Sequence, residues 1–155
     1  MKAEEAVNLY GIDIISSNGM DIEKECMQHG NTSVFVHSFN VACLCFNIAE
    51  KLKLKIDKKS LIRGALLHDY FLYDWHVNDK NHKWHGFTHP KTALKNAEKD
   101  FELNSIERDM ILKHMFPLNL SIPRYKESVV LCIADKILAT CETLGIKHFR
   151  YDLKR

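Results

Sequence analysis

Residues 33–53 read SVFVHSFNVACLCFNIAEKLK. Val34, Val41, Leu44, Ile48 and Leu52 recur there at spacings of three, four and seven, which lays one apolar stripe along a helix. The preceding Asn31-Thr32-Ser33 supplies N-cap chemistry. Between Val34 and Val41, where the stripe asks for another apolar residue, stands His37. The spacing therefore turns an imidazole toward the interior.

Outward from this segment the same period continues. Asp57 predicts the cap of a second helix that buries Leu61, Ile62, Ala65 and Leu66. Another helix is predicted from Thr88-His89-Pro90, since proline is tolerated in a first turn, with Ala93, Ala97 and Phe101 at four-residue steps. Asn104 and Glu107 have capping-box spacing, Ile106, Met110 and Ile111 carry that helix on, and Pro117 closes it. The last long helix spans about Tyr125 to Leu144, with Gly145 as its C-cap. Residues 3–15 and 20–29 are expected to be shorter helices. No alternating, strand-like segment of useful length appears. The expectation is an all-α bundle of six to seven helices.

Composition bounds the rest. A chain of 155 residues fits one domain, residues 1–155, large enough for a real core. Nine Gly plus Pro and 46% hydrophobic residues argue against disorder. No stretch approaches the roughly 20 apolar residues of a membrane span, and the acid-bearing start MKAEEAVNLYG lacks a signal-peptide core. A net charge of +2 gives no strong nucleic-acid signal, although local lysines could draw in a small phosphorylated molecule. Of five cysteines, Cys43, Cys45, Cys132 and Cys141 fall in apolar helical patterns, as small core residues of a reducing, cytoplasmic protein do. The run Lys51, Lys53, Lys55, Lys58, Lys59 reads as a solvated face at a helix end.

The unusual count is nine histidines. His114 continues the row Ile106, Met110; His89 begins the row Ala93, Ala97, Phe101; Asp135 stands inside VVLCIADKIL; His68-Asp69 closes the apolar run GALLHD. A lone interior histidine is more often a hydrogen-bonded core residue than a ligand, and Asp135 alone could be an ion-pair partner. Together they are harder to explain that way. Each buried polar group needs its own partner, whereas one shared cation satisfies several at once. Mixed imidazole and carboxylate donors suit Mn, Fe, Zn, Co or Ni more than Mg, whose preference is for oxygen.

His37 in TSVFVHSFNVA, His68-Asp69 in RGALLHDYFLYDWH and Asp135 in LCIADKILA resemble the ordered motif of the HD-domain superfamily of metal-dependent phosphohydrolases, over roughly residues 29–144. That resemblance implies a single helical HD domain with a divalent transition-metal site on His37, His68, Asp69 and Asp135. His89 in FTHPKTA and His114 in ILKHMFP look like the extra ligands of the dinuclear branches. By that analogy Asp69 bridges two ions, one on His37, His68 and Asp135, the other on His89 and His114. The HD-GYP branch fits less well, since it has a lysine where this chain has Leu72 and a Gly-Tyr-Pro segment where it reads His114-Met115-Phe116-Pro117.

The resemblance implies hydrolysis of a phosphate ester or anhydride, of a nucleotide or another small phosphorylated molecule, by a metal-activated water. Asp69 and His85 are the candidate catalytic groups, with His85 as proton shuttle and His29 a weaker candidate. Lys91, Lys113 and Lys136 are candidate phosphate contacts, each also readable as a solvated lysine. The aromatic stretch 70–88, with Trp75, Trp84 and Phe87, is expected to shape the pocket or simply to pack. Two alternatives share the same ligands: a di-iron oxygenase of the HD fold, and a non-catalytic nucleotide-binding HD domain.

Overall fold

A computed structural model describes residues 1–29, 32–73 and 85–146, without the side chains of 29 and 85–87. Among the described residues seven α-helices run in chain order: α1 Ala3–Ile15, α2 Asn18–Glu25, α3 Val34–Lys51, α4 Lys58–Leu67, α5 His85–Asp100, α6 Ser105–Lys113 and α7 Lys126–Thr143. The all-α expectation holds. No described helix is long and apolar enough to cross a membrane.

The caps foreseen in the sequence set the helix starts. The Ser33 hydroxyl accepts from the Val36 amide, the Asp57 carboxylate accepts from the amides of Lys59 and Ser60, and Asn104 with Glu107 forms a full capping box. Gly145, past the end of α7, takes φ +69°, a left-handed conformation that costs glycine little.

Two elements differ from expectation. The segment 20–29 is not one helix: α2 stops at Glu25, and Met27–His29 pairs antiparallel with Thr32–Ser33 as a short ribbon, β1 and β2. The Gly30-Asn31 dipeptide between the two strands is the sequence signal for a hairpin, and it outweighs the weak helical period before it. Helix α5 starts a turn earlier than Thr88, so Pro90 stands inside the helix rather than in its first turn. A proline there forgoes one backbone hydrogen bond, a cost that packing of the buried Ala93 and Ala97 offsets.

Helix α4 is the hub. Every residue from Ser60 to Leu67 is buried, and α4 packs against α1, α3, α6 and α7. Gly64 allows the close approach of α6, because a Cβ there would lie 2.5 Å from the Met110 sulfur. Phe39, Phe46, Leu61, Ile62, Leu66 and Ile111 fill the centre around it. One cation also sits in this packing: Arg63 of α4 bonds to Asp13 of α1 and, through Nε at 2.9 Å, to buried Glu107 of α6. All five cysteines are free and at least half-buried.

Candidate metal centre

Six side chains from five helices meet where α4 and α6 end. His68 is the C-cap of α4 and His114 the C-cap of α6. Each points its Nδ1 at the carbonyl three residues back, Ala65 and Ile111, at 2.8 Å. A carbonyl only accepts, so both rings carry hydrogen on Nδ1 and turn the Nε2 lone pair into the cluster. His37 comes from the first turn of α3, His89 from α5, Asp135 from the middle of α7, and Asp69 directly follows His68. All six are buried.

The distances fall into two groups. On one side, Asp135 Oδ1 lies 3.1 Å from His37 Nε2 and 3.6 Å from His68 Nε2. On the other, His89 Nε2 and His114 Nε2 are 2.8 Å apart. Asp69 stands between them. Its Oδ2 is 3.2 Å from His68 Nε2 and 3.9 Å from His37 Nε2, while its Oδ1 is 3.2 Å from His89 Nε2 and 3.4 Å from His114 Nε2. Donor atoms that share an ion at about 2.0–2.2 Å sit roughly 2.8–3.6 Å from one another, a range that holds every one of these separations except that of His37 from Asp69. Among the described residues, His37, His68 and Asp135 form one triad that could hold a metal ion, and His68, Asp69 and His114 another.

Hydrogen bonding alone leaves this cluster incomplete. His68 Nε2 and Asp69 Oδ1 are fully buried yet make no directed hydrogen bond, despite charged neighbours within 3.6 Å. A buried acceptor left so costs on the order of 1–3 kcal/mol, and converging lone pairs without hydrogens between them are what a cation requires. The donor set therefore fits a divalent ion.

Electrostatics agree. Burial alone would raise Asp69 and Asp135, but His68 and its fellow imidazoles hold Asp69, and His37 and His68 hold Asp135, well below the usual carboxylate range. Burial would lower His37, yet its bonds to Asp135 and Glu142 push it up to about 9. His68 is likewise raised against its desolvation by Asp69 and Asp135. His114 goes the other way, lowered chiefly by burial.

Three supporting residues escaped the sequence reading. Glu142 accepts from His37 Nδ1 at 2.8 Å, completing a carboxylate–imidazole pair that fixes the ring and strengthens Nε2 as a donor. Its signal was available: Glu142 follows Asp135 by seven residues, two turns down the same face of α7. Gln28 of β1 donates to Asp69 Oδ2, and nothing in its local sequence marks it. Glu23 of α2 is fully buried with neither carboxylate oxygen hydrogen-bonded, and burial together with the nearby Asp69 charge pushes its carboxyl well above the ordinary range.

The three lysine candidates lie outside this buried cluster. Lys91 is exposed on α5. The Lys113 ammonium is 2.6 Å from Asp109, and the Lys136 ammonium donates to the His114 carbonyl at 2.9 Å, at the rim of the centre. The side chains of His85, His29 and Phe87, and all of Trp75 and Trp84, are outside the described residues.

A family model described as "HD domain" matches residues 34–140, most of the chain. The chain belongs to the HD domain family. No curated protein and no solved structure gave a significant match. The HD domain implies the superfamily of metal-dependent phosphohydrolases, and its matched span contains all six residues of the buried cluster.

Proposed function

We propose that this HD domain is a phosphohydrolase that cleaves a phosphate ester or anhydride of a small molecule, with a nucleotide as the leading substrate class. One ion would be held by His37, His68 and Asp135, a second by His89 and His114, and Asp69 would bridge them. The observation that carries this reading is the division of Asp69, one oxygen toward each histidine group at 3.2 Å. A carboxylate serving a single ion has no need of imidazoles on both sides.

Bound divalent ions would supply Lewis acidity, lowering the pKa of water and neutralising charge on the phosphoryl oxygens. The protein's own groups do the rest. Asp69, kept ionised by His68, His89 and His114, is the anion at the middle of the site. Gln28 holds one Asp69 oxygen in place, and Glu142 fixes the His37 ring. Lys136, held at the rim by the His114 carbonyl, and Lys91, exposed two residues beyond His89, are positioned better for phosphate than Lys113, which Asp109 already neutralises. His85 keeps the proton-shuttle role assigned from sequence.

The test is elemental analysis of the purified chain, then a screen of nucleotides, phosphomonoesters and pyrophosphates with Mn, Fe, Co, Ni, Zn or Mg supplied. We expect up to two ions per chain and release of phosphate or a phosphomonoester. Asp69→Ala should lose both ions and at least about 10³-fold of the activity, and His89→Ala should retain a single ion. Iron-loaded protein that consumes oxygen with an organic substrate and hydrolyses nothing would replace this reading with the oxygenase. Ligand binding without turnover under any metal would replace it with the sensor.

A further inference from the structure

Helix α7 carries Asp135 inward, but its outer face is the unusual one. Val130, Leu131 and Leu138 pack into the core, as an amphipathic helix should. The exposed positions after Lys126 then run Val129, Ile133, Ile137, Thr140, Thr143 and Leu144, without a charge among them. Val129 is 46% exposed, Ile133 49% and Leu144 67%. An amphipathic helix ordinarily turns charged or polar residues to solvent, and here the outer positions Val129, Ile133 and Ile137 are apolar. Single exposed leucines are ordinary; Val129, Ile133 and Ile137 at four-residue steps, continued by Thr140 and Leu144, make an uncharged strip that reads as a contact surface.

We propose that this face of α7 seats a second copy of the same chain, its α7 antiparallel to the first about a two-fold axis between Ile133 and Ile137. The argument for a second copy is one of complementarity. An uncharged face is matched by an uncharged face, and a two-fold contact supplies one automatically. In this register Ile133 meets Ile137 of the second copy, and Lys126, nine residues from the centre, reaches the last turn of the other α7, near Leu144. That last turn has no basic residue of its own to offset the negative helix end, so the incoming ammonium provides it. The antiparallel helix dipoles also attract. A strip the length of an 18-residue helix buries roughly 400 Å² per copy, about half of what a standard stable interface uses. An interface of that size suits a weak, reversible association.

Sedimentation of the full chain between about 1 and 500 μM tests this. The mean mass should climb from the 18.0 kDa of one chain toward twice that value. Ile133→Glu with Ile137→Glu should weaken association at least about tenfold while leaving the circular dichroism spectrum unchanged, since both positions face solvent. Lys126→Glu should weaken it by about two- to fivefold. Leu9→Glu, on the equally exposed part of α1, should have no effect. A monomer at every concentration overturns the proposal and gives the face to a different partner or to the chain's own residues 147–155. A dimer indifferent to the double substitution overturns it as well, and one indifferent to Lys126→Glu rules out this register.

Discussion

Protons would compete with a bound metal ion for the same nitrogens at this centre. His37 has its pKa raised to about 9 by Asp135 and Glu142, against the pull of burial, and His68 is raised by Asp69 and Asp135. A raised imidazole stabilises the folded chain fully below its ordinary value of 6.5, and that contribution fades as pH climbs through about 9. Metal affinity follows the opposite course, because ligation requires the neutral ring. Titration calorimetry of Zn or Mn binding should show affinity increasing between pH 6 and about 9, with proton release. Glu142→Gln should flatten that rise by removing one of the groups that hold the proton. Glu23 behaves differently. Its carboxyl is raised by burial and by Asp69, so in chelator-treated protein it contributes stability below about 4.5 that is lost as pH rises and the buried acid must ionise. Glu23→Gln should therefore stabilise the chain at neutral pH by about 1–2 kcal/mol in urea unfolding. Equal stability of the two proteins across pH 4–8 would show that the Glu23 carboxyl titrates alike in the folded and unfolded chains, and would overturn the raised value.

Elements were legible wherever a cap and a period agreed. Ser33, Asp57 and Asn104 each stood before an apolar stripe, and each caps its helix. The six buried ligand candidates were legible for a related reason: each interrupts or ends an apolar run, so helical geometry alone turned them inward. Gln28 and Glu23 were not legible, because their burial comes from how α2 and the β1–β2 ribbon lie over Asp69, a tertiary fact with no local period. Arg63 belongs with them. Sequence places it among apolar residues of α4, but only the packing shows Asp13 and Glu107 arriving from two other helices. Removing it would leave Glu107, almost wholly buried, without its counter-charge. Arg63→Ala should cost about 3 kcal/mol, read as a lower denaturation midpoint with little change in m. Arg63→Lys should recover only part of that, since an ammonium lacks the fork that reaches two acids at once.

For the molecule as a whole, metal uptake at this centre would be linked to folding. The six converging groups belong to five helices, so an ion bound there ties α3, α4, α5, α6 and α7 together. Metal at about a hundred times its dissociation constant should add about 2.7 kcal/mol, which for a chain of this length is a midpoint roughly 5–10 °C higher. Differential scanning calorimetry with and without chelator measures it, and no shift in the wild type alongside bound metal would mean that the unfolded chain binds it as well.

His68 and His114 each terminate a helix, so α4 and α6 both aim their negative ends at the same small volume. Asp69 and Asp135 add their own negative charge there, offset by the raised imidazoles of His37 and His68, so the volume offers an incoming anion no surplus of positive charge unless a cation is bound. Under the proposed function, loading would then be ordered, with a phosphate group following the cations whose charge it balances. A chelated preparation should accordingly fail to retain even a non-hydrolysable phosphate ligand, a behaviour written into where two helices stop.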